Sequence, residues 1–290
     1  MSLEGGRPRW SILASLLLLL FAVGIVPLLW TSYTLVNDTR ERLELEQKTL
    51  QLATARSLSQ QIGQYVRSLE SQLRTLAQTV ENEAGSSALA ARIARLRQTR
   101  WLERFVDPDG SLPVYYLSMV DTSCTGAASG VLLPEPGIEQ LLQEGCVRSR
   151  ENRAMTSRPM MATSVREPIL VMAVPIVLQG ERVGGAALAV ASLRPLWGMT
   201  AQMASSGGSV YVVDDRGWLV AHSDRKQIES KRDLSEVGIV RQFLGSRGRA
   251  SSTESFTLAT PEGPVRMLGT YTPVPNDTGW GVIVQVSEAQ

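Results

Sequence analysis

Three periods of apolar residues follow one another along the chain. Ser11 to Trp30, SILASLLLLLFAVGIVPLLW, carries no charge. As a helix of ~20 residues it spans ~30 Å, enough to cross a bilayer core. From Leu35 to about Ala84 there is no proline and one glycine, Gly63, while Leu58, Ile62, Val66, Leu69, Leu73, Leu76 and Val80 alternate by four and three. That spacing predicts a helix with one narrow apolar stripe. At ~75 Å for ~50 residues, it exposes length that either its own domain or a second copy must cover. The reading favoured here is a homodimer through this stalk helix, as a parallel seam continuing from the membrane.

EAGSS, Glu83 to Ser87, breaks the run, and a shorter helix over Leu89–Val106 leads to a DPDG turn at Asp107 to Gly110. The period then drops towards two or to continuous apolar runs, which predicts strands. They fall at Pro113–Val120, Met160–Thr163, Pro168–Leu178 and Arg182–Ala191, the last two joined by Gln179–Glu181. SLRPLWGMTAQMASS reads as a helical connector. A second block follows, with strands at Ser209–Val213, Trp218–His222, Ser251–Ala259, Val265–Thr272 and Gly281–Val286, and a helix near Leu234–Leu244.

The two blocks repeat each other. PVYYLSMVD and SVYVVDD open them with a strand ending on aspartate. ILVMAVPIVLQGERVGGAALAV and RMLGTYTPVPNDTGWGVIVQV close them as hairpins, with Pro175 and Pro273 at one point and Gly184 and Gly281 at another. The expected fold class is therefore α/β (α+β): two tandem modules, each an antiparallel sheet with helices on its face.

Composition narrows the function. A formal net charge of +1 over 290 residues supplies no basic field for nucleic acid. Arg7 and Arg9 precede the apolar run and mixed charges follow it, which orients the N-terminus to the cytoplasm and the rest outside. A cleavable signal peptide would have an apolar region of only ~7–15 residues and a small-residue cleavage site, so an uncleaved anchor is expected. Outside the membrane the two cysteines, Cys124 and Cys146, can pair, and closing such a loop contributes ~3 kcal/mol. Sequence leaves open whether they meet.

The sole histidine lies in VYVVDDRGWLVAHSD, Val210 to Asp224, near Asp214, Asp215 and Asp224. Apolar residues on either side of Asp-Asp-Arg-Gly predict a hairpin, in which Gly217 takes a positive φ and an aspartate bonds the turn. His222 and Asp224 are too close along one strand to form a relay, and no second histidine completes a metal site. No nucleophile elbow, phosphate loop or metal-spaced cluster appears, and the glycines of Ser205–Ser209 precede a strand and not a helix. A non-enzyme without cofactor or metal is expected.

At these residues the chain resembles the double Cache (dCache) extracytoplasmic sensor region of bacterial transmembrane receptors. AVPIVLQGERVGGAALAV, VYVVDDRGWLVAHSD and YTPVPNDTGWGVIVQV carry the resemblance, which covers nearly everything after Asn37. It implies a cytoplasmic N-terminus over 1–10, a transmembrane helix over 11–30 and a stalk over 31–84. A membrane-distal PAS-like module over 85–192, a connector over 193–208 and a membrane-proximal module over 209–290 would follow. It further implies a periplasmic or extracellular small-molecule sensor in the inner membrane, whose kinase, chemoreceptor, cyclic-dinucleotide or phosphatase output is not in this chain. The rival reading is a membrane-tethered ligand-binding or scaffolding module acting through a partner.

The family's amino-acid-binding subset carries an arginine-x-tryptophan-tyrosine element and an aspartate on the last distal strand. CVRSRENRAMTSRPM, Cys146 to Met160, lacks that element, and Ala189 and Val190 stand where the acid is expected. The resemblance leaves Tyr115, Ser118, Arg153, Met161, Thr163 and Arg166 near the expected pocket. Arginines and hydroxyls on an apolar wall suit a carboxylate or other small anion, while the same arginines also read as solvated surface charges.

Overall fold

The computed structural model describes residues 12–84, 89–107, 113–178, 182–204, 208–224, 226–227, 232–246, 250–260, 263–275 and 278–288. The turns expected at Asp107–Gly110 and Gln179–Glu181, the break at Glu83–Ser87 and the linker Ser205–Ser209 fall wholly or partly outside them, as do Arg7 and Arg9. Helix α1, Ile12–Ala84, contributes to two compact units divided between Leu50 and Gln51. Among the described residues no helix is long and apolar enough to cross a membrane. Much of Ser11–Trp30 falls on residues whose side chains are not described.

Within the second unit, the strands form two antiparallel sheets. The first contains β1 (Val114–Asp121), β2 (Gly126–Gly130), β3 (Met155–Thr156), β4 (Met160–Ala162), β5 (Glu167–Leu178) and β6 (Arg182–Ser192), in the order β2-β1-β6-β5-β3, with β4 also on β5. The second contains β7 (Gly208–Val213), β8 (Leu219–His222), β9 (Ser252–Thr260), β10 (Gly263–Pro273) and β11 (Gly281–Ser287), in the order β8-β7-β11-β10-β9. The orders match strand for strand, so the repeat seen in the sequence is a repeat of topology. Its register differs from the sequence match: Pro175 pairs with Ala186, whereas Pro273 pairs with Gly281. The first hairpin runs on past its proline to Leu178 and Arg182.

One core joins α1 to the inner face of both sheets. Leu58, Ile62, Val66, Leu69, Leu73, Leu76 and Val80 are all buried, packed with Leu117, Met172 and Ala189 of the first sheet and Val212, Val282 and Val284 of the second. This corrects the favoured dimer reading of the stripe. These positions are covered by the chain's own sheets, because two tandem modules present enough apolar face to occupy a helix of this length. Polar groups pin the same contact. Ser59 donates to the Pro273 carbonyl at 2.6 Å, Tyr65 to that of Ser192 at 2.7 Å, and Thr270 to the buried Gln51 carboxamide at 3.1 Å. Burial, then the nearby Glu167 charge, pushes the Tyr65 phenol up, so it stays a neutral donor.

β5 and β6 are nearly continuous apolar runs because both of their faces are buried. Leu170, Met172 and Val174 face α1, whereas Ile169, Val171 and Ala173 face the opposite side. The expected helix over Leu89–Val106 is instead α2, Leu89–Gln98, followed by a 3-10 turn at Trp101–Phe105. Arg100, at φ 51, sits left-handed between them, which a continuous helix does not permit. The connector helix is α4, Pro195–Met203. The helix expected near Leu234 starts later, as α5, Gly238–Gly245, because Asp233 is bridged to Trp218 and the chain there is still extended.

Candidate functional site

The outer face of the first sheet carries α3, Ile138–Arg150. Ile138, Leu142 and Cys146 recur at four-residue spacing and are buried on Val120, Val171, Ala173 and Leu188. Gly145 lets the helix lie close: a Cβ there would stand 2.7 Å from that of Ala173. A disulfide ties Cys146 to Cys124 in the β1–β2 turn. That turn is built on Asp121, whose carboxylate accepts from the Ser123 hydroxyl at 2.6 Å and the Ser123 and Thr125 amides at 2.8 and 3.2 Å. The Ser123 hydroxyl leads in holding this carboxyl below its ordinary value.

Between α3 and β1 lies a cavity of about 350 Å³, bounded by Tyr116, Ser118, Glu139, Gln143 and the disulfide. Its volume is at the small end of ligand pockets. Tyr116 and Ser118 point here because alternate residues of a strand share a face, leaving Leu117 and Met119 to α1. A second opening, of about 450 Å³, separates the two modules, with Glu135, Arg158 and Met161 on one wall and Asp214, Arg216 and Trp218 on the other. Arg158 bridges it to Asp215 at 2.8 Å.

Two buried glutamates organise this module. Glu135, 8 % exposed, accepts from the Thr163 hydroxyl at 3.0 Å and the Ser164 amide at 2.8 Å, holding the loop after β4 against the start of α3. Desolvation would raise its carboxyl, but the bonds from Ser164 and Thr163 outweigh that and the net shift is downward. Glu167, 3 % exposed, accepts from Ser192 at 2.7 Å and from the Tyr115 phenol. With Tyr65 on the Ser192 carbonyl, a buried polar chain runs from α1 to β1.

The structure brings some of the six sequence-derived residues together and separates others. Thr163 is bonded to Glu135, and Met161 lines the inter-module opening beside it. Ser118 lines the cavity under α3, and Tyr115 belongs to the Glu167 network. Arg153 is on the surface, 3.5 Å from Glu151, with its side chain 75 % exposed. Arg166 is also exposed, at φ 54. Neither arginine lines these cavities, so the six do not form one anion pocket. Sequence reasoning missed Glu135, Tyr116, Gln143 and the Arg158–Asp215 pair. A lone acid within PEPG has no pattern to mark it.

In the second module, the expected hairpin forms. Asp214 is buried and accepts from the Arg216 and Trp218 amides, both at 2.9 Å, and Gly217 has φ 90. His222 Nδ1 accepts from the Asp224 amide at 2.7 Å, a local turn bond and not a relay. Among the described residues no cluster suits a metal ion.

Because the Glu135 carboxyl lies below its ordinary value of 4.5 when folded, its stabilising bonds are fully present above that value and are lost as pH falls through the folded one. Glu135→Gln should therefore cost about 1 kcal/mol at neutral pH and progressively less as pH falls below the ordinary value of 4.5. Denaturant unfolding of both proteins at each pH measures this, and a cost independent of pH would remove the charged anchor.

Several solved structures share this architecture. The ligand-binding domain of Mlp24 with asparagine superposes with a TM-score of 0.58 at 17 % identity, covering 86 % of this chain and 95 % of that one. The extracellular domain of the putative histidine kinase rpHK1S-Z16 gives 0.57 at 14 % identity, covering 85 % and 96 %. The Pseudomonas aeruginosa PctB ligand-binding domain in complex with L-Arg gives 0.53 at 16 % identity, covering 82 % and 93 %. No curated protein matches the chain. The double Cache model, described as a Cache domain, matches residues 36–290, and with two sheets of one strand order on one helix, the chain belongs to the Cache-domain family.

Proposed function

We propose that this chain is the extracytoplasmic small-molecule sensing region of a membrane-anchored signal-transduction receptor, with its ligand held by the first, membrane-distal module. The observation that carries this reading is the polar-lined cleft between α3 and β1, on the sheet whose other face is packed on α1. Ligand contacts there reach the helix through a single layer of strands. Solved structures with this fold include the extracellular domain of a putative histidine kinase and the ligand-binding domain of a chemoreceptor, which supports the reading. The 20 uncharged residues Ser11 to Trp30 support an anchor, with the N-terminus inside.

The cavity favours a small molecule with several hydrogen-bonding groups. Tyr116 and Ser118 offer hydroxyls, Gln143 an amide and Glu139 a carboxylate at the helix edge. Glu139, at the helix edge, is the carboxylate in this lining for an amino acid's ammonium group, and among the described residues no lining residue offers a cation for its carboxylate. β6 supplies alanine, leucine and valine at its centre, and both buried glutamates are occupied by other donors. Amides and polyols fit this lining better than acids, because its charged group, Glu139, is itself an anion.

A thermal-shift screen of the full chain in detergent, against organic acids, amino acids, amines, purines and sugars, tests the assignment. A ligand at ~100 times its Kd adds about 2.7 kcal/mol of stability. Ser118→Leu, which fills the cavity, should abolish the shift. No shift across the panel, or a panel in which Ser118→Leu abolishes no compound's shift, would remove the distal site.

The homodimer belongs to the first unit of α1. Leu35, Leu45 and Leu50 are exposed apolar residues on it, and the matching segment of a second copy would cover them. Cysteine at Leu45 should cross-link two copies in membranes, whereas cysteine at the buried Ile62 should not. The reverse pattern would contradict the assignment.

A further inference from the structure

The second module holds a cavity of its own, of about 530 Å³, on the sheet face away from α1. This is within the range of small-molecule pockets. Its floor is a row of outward-facing strand positions. Tyr211 of β7 stacks on His222 of β8, ring centroids 5.7 Å apart and 15° from parallel, and Tyr211 donates to Gln285 Oε1 of β11 at 3.0 Å. Both Tyr211 and Gln285 are at least nine-tenths buried, with 2 % and 9 % exposed.

A glutamine in that position is expensive unless its amide is used. Its neighbours on the same face, Ile283 and Tyr271, are core residues packed under α5. Its oxygen is taken by Tyr211, which leaves the amide N–H groups as donors at the cavity floor. His222 adds another. Nδ1 accepts from the Asp224 amide, so the ring proton sits on Nε2. Burial, against the opposing pull of Asp224, lowers its pKa and keeps the ring neutral at neutral pH. Arg232 closes the rim, one guanidinium nitrogen donating to Gln227 at 2.6 Å. Leu219, Leu234 and Leu258 supply an apolar wall.

We infer that the membrane-proximal module is a second binding site, for a small monocarboxylate with a short apolar or aromatic tail. Three donors from Arg232, His222 and Gln285 match a carboxylate's acceptors, and the leucines take the tail. Among the described residues Asp224 is the single acid of the lining, and its Oδ1 accepts from the Lys226 amide. The site shares no lining residue with the distal cavity, so it stands or falls apart from the distal assignment.

The test titrates hexanoate and phenylacetate into the full chain in detergent, by calorimetry and by ligand-observed NMR, with hexylamine as the charge-reversed control. Both acids should bind and hexylamine should not. Arg232→Ala, at an exposed position that folding does not require, should weaken binding at least tenfold, as should Gln285→Leu. His222→Phe keeps the ring against Tyr211 and should weaken it too, whereas Ser118→Leu should leave it unchanged. No binding of either acid, equal binding of hexylamine, or loss with Ser118→Leu while Arg232→Ala binds normally would each overturn the proposal.

Discussion

The burial of one face of α1 against two sheets is the contact on which the rest of this structure depends. Each sheet has an inner face that is apolar by strand alternation, and α2 and α4 add to its cover at the β1–β2 and β7–β8 edges. Fully burying a leucine or valine contributes roughly 1.5–3 kcal/mol, and the seven stripe positions from Leu58 to Val80 are all buried. The helix therefore does for both modules what a separate helical layer does for a single sheet. Its hydrogen bonds to the Pro273 and Ser192 carbonyls fix which turn meets which sheet.

With the inner faces committed, each sheet has only its outer face for chemistry. The first covers it with α3, stapled by Cys124–Cys146, and keeps a small cavity with hydroxyls and an amide. The second covers it with α5, leaving a larger cavity whose floor is the Tyr211–Gln285–His222 row. The same strand order thus yields two pockets of different size and charge preference. A molecule that prefers one arrangement of either pocket can bias α1 only by that preference, and both routes end on one helix.

Much of the fold was legible because burial on two faces, or on one, leaves different periods. β5 and β6 stand out as continuous apolar runs, and the Asp214–Gly217 turn by its residue types. The stripe of α1 was legible as a stripe, but periodicity does not say whether a sheet or a second helix covers it. β2, GAASG, was missed because an edge strand with little buried surface carries no apolar alternation. The site was less legible still. Glu135 and Gln285 matter through what surrounds them after folding, whereas Arg153 and Arg166 had the right chemistry on a surface outside both cavities of the first module.

The most direct test of this account is native-state hydrogen exchange along α1 and both sheets. Amides of Leu58–Val80, β6 and β11 should exchange through one opening of the same free energy, because none of them keeps a core without the others. Exchange of β11 through a separate, lower-energy opening that leaves α1 and β6 protected would show that the second sheet does not depend on the helix, and would contradict the shared core.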